Sequence, residues 1–244
     1  MNNWKQRLYD NYVSTGQAGG NINRSNGLDI KQFPQLSHVI KLHLPSKKDI
    51  EILDLACGHG SLIYCLKQHG YTNLHGVDIS AQQVNLAHEL GLTEVKCQDI
   101  KEFLSGKKNE FDVIFLMDIL EHFTKQELFD YLDIINQSLK QNGRVVIHVP
   151  NAEGIYGMRI RYGDLTHENC FTPQSINQVL SACGFSSVTC FEDKPIPHGL
   201  KSFIRAFLWK VMSFPFRLLL VAETGNTHMI LTQNMLVTAQ KKAI

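Results

Sequence analysis

The chain has 244 residues, 43% of them hydrophobic, and its 24 basic and 23 acidic residues leave a formal net charge of +1. This size and composition fit one large globular domain with a full core, and the balanced charge gives no support to a nucleic-acid substrate, because nucleic-acid binders carry a basic excess. The polar start shows no secretory signal and the six cysteines show no disulfide or metal spacing, so we expect a protein of the reduced cytoplasm.

Residues 1–44 precede the first predicted strand. Aromatic and apolar residues between Trp4 and Tyr12 can form one face of a short helix, and a loop rich in glycine and asparagine continues to Gly27. Two interpretations stay open: a floppy terminus, or a lid whose aromatic side chains close over the cofactor or the substrate. A helix around residues 33–44 then leads to the first strand.

The first motif is the segment Asp54-Leu55-Ala56-Cys57-Gly58-His59-Gly60, in which an apolar run stops at two glycines. It predicts a buried parallel strand, a tight turn and a helix whose N-terminus faces a ligand. A second short strand ends at Asp78, where a carboxylate can accept hydrogen bonds from ribose hydroxyls. The two features indicate an adenosine-type cofactor at the switch point of a doubly wound sheet.

Asp54 helps to decide which cofactor this is. Its carboxylate would repel a pyrophosphate and would attract the ammonium and sulfonium groups of S-adenosylmethionine. Ile63 stands where the dinucleotide fingerprint needs a third glycine, so NAD is a weaker alternative, and a crossover without any ligand is another. The motif resembles the first motif of the class I S-adenosylmethionine-dependent methyltransferases, with Ala56 where glycine is commoner.

The resemblance implies a set of cofactor-binding residues. They are Asp54, Ala56, Cys57, Gly58, Gly60, Asp78, Ile79, Asp99, Ile100 and Asp118. Asp99 would bind the adenine amino group, Ile79 and Ile100 would pack on the ring, and Asp118 would line the methionine end. Asp99 also fits a second interpretation, since an aspartate after a strand is usually a helix cap.

Strands and helices alternate along the rest of the chain, which predicts an α/β fold with a doubly wound, Rossmann-like sheet. Seven strands are expected, at 52–55, 75–78, 93–97, 111–117, 144–149, 187–191 and 234–240. The resemblance implies that the seventh runs antiparallel beside the fifth. We therefore expect N-terminal helices or a lid over 1–44, the cofactor-binding core over 45–194, a helical insert over 195–232 and the final strand over 233–244.

The insert is the unusual part of the sequence. Its segment 200–221 is strongly apolar but carries four basic residues and Pro215, so it is too charged and too broken for a membrane-spanning helix. Two interpretations stay open. It is either a helical cap on the substrate pocket or a helix at the membrane surface, where basic residues beside tryptophan and phenylalanine are typical.

Two further segments carry candidate catalytic residues. Met117-Asp118-Ile119-Leu120-Glu121-His122 follows the central strand, where ligands bind in open α/β sheets, and it resembles the D-x-L-E-H segment of many small-molecule methyltransferases. His122 is a candidate general base because its ordinary pKa lies near the operating pH. The alternative is that Glu121 and His122 only fix the loop through hydrogen bonds with the backbone.

The second segment, residues 159–172, follows the fifth strand on the same edge of the sheet. Its Asp164 and His167 can form a carboxylate-oriented base or two ligands of a divalent cation, or they can belong to a polar loop that caps the next helix. Methyl transfer from a sulfonium needs one base in a dry pocket. We expect His167 to take the proton, Asp164 to orient it, and no metal to take part.

Together, the motifs and the long insert resemble methyltransferases of bacterial capsule, O-antigen and exopolysaccharide assembly. The resemblance implies an O-methyltransferase that uses S-adenosylmethionine and acts on a hydroxyl of a sugar or of its nucleotide- or lipid-linked precursor. It would work in the cytoplasm, with peripheral membrane contact through residues 200–221 if the insert is interfacial. A quinone or lipid methyltransferase and a non-catalytic cofactor-binding partner protein are the alternatives.

Overall fold

The computed structural model describes residues 3–9 and 28–243. The predicted loop up to Gly27 and the aromatic Tyr12 lie outside the described residues. The strands are β1 (Glu51–Leu55), β2 (Asn73–Asp78), β3 (Val95–Cys97), β4 (Phe111–Met117), β5 (Leu139–Pro150), β6 (Phe185–Glu192) and β7 (Asn234–Lys241). The helices are α1 (Asn3–Tyr9), α2 (Pro34–His43), α3 (Ser61–Gln68), α4 (Ala81–Glu89), α5 (Ile100–Leu104), α6 (Lys125–Ser138), α7 (Gly157–Gly163), α8 (Pro173–Ala182) and α9 (Leu200–Thr224).

The strands form one seven-stranded sheet in the order β3-β2-β1-β4-β5-β7-β6. Strands β1 to β5 pair in parallel, and β7 runs antiparallel to both β5 and β6. The predicted doubly wound α/β fold and its antiparallel last strand are confirmed. The carboxyl ends of β1, β4, β5 and β6 lie along one edge of the sheet, which we call the rim.

The sheet is buried on both faces, which explains the long apolar runs of its central strands. Side chains of β1 alternate between two core clusters: Leu53 and Leu55 belong to one, and Ile52 belongs to the other. In β4, Ile114 and Phe115 divide in the same way and both are fully buried. Helices therefore cover each face, and polar side chains are left to collect at the rim.

The boundaries of β5 and α7 differ from the prediction. The fifth strand begins at Leu139 instead of 144, and it contains a register shift between the partners of Phe111 and Val113 and a left-handed Asn142 (φ 62°). Residues 157–163 form α7, a helix that the sequence analysis did not predict. A Cβ on Gly157 would lie 1.8 Å from the carbonyl oxygen of Asn151, so the close approach of α7 to the end of β5 requires glycine.

Helix α9 lies on the surface and continues through Pro215 without interruption. Only Ser202 and Ser213 of its residues are buried. Its exposed apolar side chains are Leu200, Phe203, Ile204, Phe207, Leu208, Val211, Met212, Phe214, Phe216, Leu218, Leu219 and Val221. A helix that caps a pocket would bury one apolar side, so this exposure speaks against the cap. Among the described residues, we find no helix with the length and hydrophobicity needed to cross a membrane.

Candidate active site

The turn between β1 and α3, residues 56–60, has an unusual backbone, and we call it the cofactor turn. Ala56, Gly58 and Gly60 all have positive φ, at 59°, 55° and 82°. A Cβ on Gly60 would lie 2.7 Å from Cδ1 of Leu92, so this position needs glycine both for its φ and for space. The left-handed conformation of Ala56 explains why glycine is commoner there in the resembling family, since only glycine adopts it without cost.

Asp78 connects the cofactor turn to β2. Its Oδ2 accepts a hydrogen bond from the Gly58 N–H and its Oδ1 accepts one from the Ser80 N–H, both at 2.8 Å. Burial raises the pKa of this carboxyl, against the lowering effect of the two N–H donors. Asp78 therefore lies at the end of β2, as predicted. Its oxygens have further lone pairs that can accept hydrogen bonds from ribose hydroxyls.

Asp54 is the strongest sign of a bound cation. Its side chain is only 2% exposed, and its Oδ1 accepts no hydrogen bond within the described part of the chain. Burial, and then the charge of Asp78, hold its pKa well above the ordinary value. A buried carboxylate without a donor is costly, and the ammonium or sulfonium of S-adenosylmethionine would compensate it. The residues at this turn therefore fit that cofactor.

The other predicted cofactor residues lie along the same edge. Asp99 caps α5 by accepting hydrogen bonds from Lys101 N–H and Glu102 N–H at Oδ1, so the helix-cap interpretation is confirmed for that oxygen. Ile79 is 63% exposed, so its side chain is accessible to the adenine ring that it was predicted to contact. Ile100 instead packs partly against the core.

Asp118 belongs to a network that the sequence analysis missed. Its Oδ1 lies 2.6 Å from Nδ1 of His148, and Nε2 of His148 lies 3.3 Å from Oδ2 of Asp193. Burial lowers the pKa of His148, but the charges and hydrogen bonds of the two aspartates outweigh it, and the pKa rises well above the ordinary value. Burial likewise raises the pKa of Asp118, yet the His148 charge lowers it overall. The sequence signal that could have indicated this network is His148 itself, a histidine within the apolar run of β5.

We expect the network to give pH-dependent stability. His148→Gln should lower the free energy of unfolding by about 1–2 kcal/mol, a value discounted because the Asp118 side chain is 59% exposed. The raised pKa of His148 means that its contribution is fully present below pH ~6.5 and disappears as the pH rises through the folded-state pKa. The lowered pKa of Asp118 means that its contribution is lost as the pH falls through that value.

Urea unfolding of both proteins from pH ~5 to pH ~10 measures this difference. His75→Gln is the matched control, because the His75 side chain, which pairs with Glu51, is 39% exposed against 13% for His148. A stability gap for His148→Gln that stays constant up to pH ~10 would show that no charged His148 stabilises the fold.

Three side chains meet at the rim on loops distant in sequence: Glu121, His122 and His167, which we call the histidine cluster. The imidazole centroids of the two histidines are 4.7 Å apart, and the potential ligand atoms of all three side chains lie within 4.8 Å of one another. The Glu121 carbonyl oxygen accepts hydrogen bonds from the N–H groups of Glu168 and Asn169, which joins the loops. The two candidate segments therefore lie together at the rim, whereas their catalytic roles stay predictions.

Hydrogen bonds around the cluster fix both imidazoles. Thr166 donates its hydroxyl to Oδ1 of Asp164 at 2.6 Å and lies 2.9 Å from Nδ1 of His122. Nδ1 of His167 lies 3.1 Å from the Ile160 carbonyl oxygen. Asp164 therefore contacts His122 through Thr166, because the short turn from Asp164 to Thr166 points the hydroxyl at that ring. The orientation of His167 by Asp164 stays a prediction.

The pKa of each imidazole lies below its ordinary value. Burial, and then the neighbouring His167, lower the pKa of His122 to about 4. Burial also lowers the pKa of His167, although the Asp164 charge opposes it. Burial raises the pKa of Glu121 well above its usual range, and Asp118 adds to this. The cluster therefore places two imidazoles and a carboxyl group in a largely buried site.

Helix α1 lies over this part of the rim. Lys5, only 8% exposed, donates to the His122 carbonyl oxygen at 3.2 Å and pairs with Oε1 of Glu168 at 3.1 Å. The attachment of the N-terminal helix thus depends on a lysine. Trp4, which the lid interpretation placed over the site, is 43% exposed.

A cavity of about 710 Å³ lies beside the site, between α2, the end of β6 and the segment after α9. Gln35, Asp193 and Arg217 are among its lining residues. Asp193 connects it with the His148 network, whereas the cofactor turn and the histidine cluster lie outside its lining. The polar chemistry of the rim therefore does not coincide with this cavity.

Comparisons with known proteins agree with this geometry. The family model described as a methyltransferase domain matches residues 28–189, more than half of the chain. Cyclopropane-fatty-acyl-phospholipid synthase of Escherichia coli (strain K12) is 28% identical over 109 residues, which are 43% of this chain and 27% of that protein. Ubiquinone biosynthesis O-methyltransferase of Coxiella burnetii is 36% identical over 81 residues, 31% of this chain and 33% of the relative.

A third relative covers more of the chain. The tRNA U34 carboxymethyltransferase of Hydrogenovibrio crunogenus is 26% identical over 164 residues, 62% of this chain and 48% of that protein. The chain therefore spans less than half the length of these curated relatives. Among solved structures, a SAM-dependent methyltransferase from Archaeoglobus fulgidus shares the fold, with a TM-score of 0.64 and 19% identity over 96% of this chain and 99% of that one.

Proposed function

The chain belongs to the methyltransferase-domain family, and from that membership we propose that it is an S-adenosylmethionine-dependent O-methyltransferase. The observation that supports this choice of cofactor is Asp54, a buried carboxylate whose Oδ1 has no hydrogen-bond donor among the described residues. When bound, S-adenosylmethionine supplies an electrophilic methyl group. Asp54 would bind its cationic end, the backbone of Gly58 and Gly60 would allow close approach, and Asp78 would hold the ribose.

We propose that the acceptor is a hydroxyl of a sugar or glycan precursor in surface-polysaccharide biosynthesis. The support is the histidine cluster, which gathers two imidazoles and a carboxyl group at the rim. Such groups can take a hydroxyl proton and can hydrogen-bond a polyhydroxylated acceptor. Among the protein's own groups, the Nε2 lone pair of His167 is suited to accept that proton.

The direct test is methyl transfer from labelled S-adenosylmethionine to a panel of nucleotide sugars and lipid-linked glycans. Incorporation into a base-stable ether on the sugar supports the proposal. Transfer to a quinone precursor but to none of the sugars would favour the second candidate, a quinone or lipid methyltransferase. That candidate is supported by the exposed apolar side chains of α9 and by the ubiquinone and fatty-acyl-phospholipid names among the relatives.

We also propose that α9 binds to a membrane surface. Twelve of its large apolar side chains are exposed, far more than a solvated helix requires. Lys201, Arg205 and Lys210 lie on the same helix and would favour anionic lipid headgroups. Arg217 instead anchors the helix to the domain, because its Nη2 lies 2.5 Å from Oε1 of Glu192. A lipid-linked acceptor would then be methylated close to its membrane.

The protein is expected to co-sediment with anionic phosphatidylglycerol vesicles at low salt and to be partly released as the salt rises. Phe207→Ser should weaken binding roughly 10-fold or more, because burial of one phenylalanine contributes about 1.5–3 kcal/mol. Phe129→Ser is the matched control, since Phe129 is an exposed phenylalanine on α6. Equal loss in the two variants, or no sedimentation at any salt, would exclude a specific role for α9.

A further inference from the structure

We propose that the histidine cluster binds a divalent transition-metal cation through Glu121, His122 and His167. This inference deepens the proposed function, because it gives the acceptor site a Lewis acid. It departs from the expectation that no metal takes part, and it differs from the cation site considered for Asp164 and His167. Two histidines and one carboxylate form a ligand set for cations such as Zn²⁺ or Mn²⁺.

The hydrogen bonds around the cluster select the tautomers that a cation needs. A carbonyl oxygen can only accept, so Nδ1 of His167 donates to Ile160 and the ring carries its lone pair on Nε2. The Thr166 hydroxyl gives its single proton to Asp164, so it accepts from Nδ1 of His122, and that ring also carries its lone pair on Nε2. Metal-ligating histidines are oriented in this way by a carboxylate or a carbonyl group on the other nitrogen.

Glu121 supplies the carboxyl oxygen of the ligand set. Its side chain is 1% exposed, and its Oε2 accepts no hydrogen bond from any part of the chain that the structure describes. Three acceptors that face one another favour a cation between them. The potential ligand atoms lie within 4.8 Å of one another, whereas ligands ~2.1 Å from a cation lie about 3–4 Å apart, so small side-chain rotations would complete the site.

Three protein ligands leave at least one coordination position open, as in catalytic metal sites. The acceptor oxygen would occupy that position, and the cation would increase the acidity of its hydroxyl. The acceptor O–H bond then breaks and its proton passes to water. The oxygen forms a bond to the methyl carbon as the carbon–sulfur bond of the sulfonium breaks, and the bonding pair returns to sulfur. The imidazoles hold the cation in this state and do not take the proton.

Metal binding is tested on the full chain with Zn²⁺ alone and Mn²⁺ alone, by calorimetry on chelator-treated protein. We expect one site per chain, a loss of affinity greater than 100-fold in His167→Ala and in Glu121→Gln, and a loss of roughly 10–100-fold in Thr166→Val, which removes only the group that orients His122. His198→Ala is the control for histidine number, because His198 is exposed and lies outside the cluster.

Binding of S-adenosylhomocysteine to each variant verifies that the fold is intact. Absence of binding by either ion to wild type, or equal affinity in the Glu121→Gln variant, overturns the proposal. Methyl transfer that persists after chelation also overturns it, yet leaves the proposed O-methyltransferase standing with an imidazole as base. Metal binding with no transfer to any hydroxyl acceptor would instead refute the proposed function and leave the metal site standing.

Discussion

Replacing His167 with alanine is expected to lower turnover roughly 10²–10⁴-fold while cofactor affinity stays unchanged. The same loss is expected for His122→Ala, because the two rings lie against each other at 4.7 Å and belong to one cluster. Residues that act as a unit are not additive, so the double variant should lose little more than either single one. Initial rates with the acceptor found in the panel, measured beside S-adenosylhomocysteine binding, provide the test.

His198→Ala again serves as the control and should keep the wild-type rate. Multiplicative losses in the double variant would mean that the two histidines act independently. A normal rate in His167→Ala together with an inactive His122→Ala would show that the residue essential for turnover is His122, on the loop after β4. Asp164→Asn should lose less than either histidine variant, since its effect reaches His122 through the Thr166 hydroxyl.

Asp78→Ala is expected to weaken S-adenosylhomocysteine binding by at least ~1.5 kcal/mol, more than 10-fold, because charge-assisted hydrogen bonds to the ribose are lost. The change also removes the acceptor for the Gly58 N–H, so the cofactor turn loses part of its support. Titration calorimetry measures the effect. Asp78→Asn separates the two contributions, since an amide oxygen can replace one acceptor of the carboxylate but not its charge.

Asp112 provides a matched control for these changes. It is an aspartate at the start of β4 whose carboxylate pairs with Lys140, at the opposite end of the strand from the rim. Asp112→Ala should leave affinity at the wild-type level. Identical affinity in wild type and Asp78→Ala would remove Asp78 from the ribose site and leave it only the role of supporting the turn.

The cofactor half of the site could be predicted from the sequence because its signals are local. Asp54, Gly58 and Gly60 lie within one strand–turn segment, and Asp78 ends the next strand, so the repeating strand–helix pattern was enough to bring them together. The buried faces of β1 and β4 followed from the same pattern. Even the departure at Ala56 was visible, although its positive φ required coordinates.

The acceptor half depends on contacts between distant segments. His148 meets Asp193 because β6 returns beside β7, and a pattern in one segment cannot specify that pairing. The contact of Thr166 with His122 likewise joins two distant loops, so the spacing of Asp164 and His167 within one segment could not predict it. The exposure of α9 was equally undetermined, since an apolar helix has the same sequence whether it covers a pocket or a membrane.

The position of α9 in the topology has an evolutionary consequence. Glu192 and Met235 are register partners on β6 and β7, so the excursion that contains α9 leaves and re-enters the sheet at neighbouring points. A short hairpin would satisfy the same pairing. The excursion is therefore a module: selection can lengthen it, shorten it or exchange its surface without rethreading the sheet, while the rim is inherited intact.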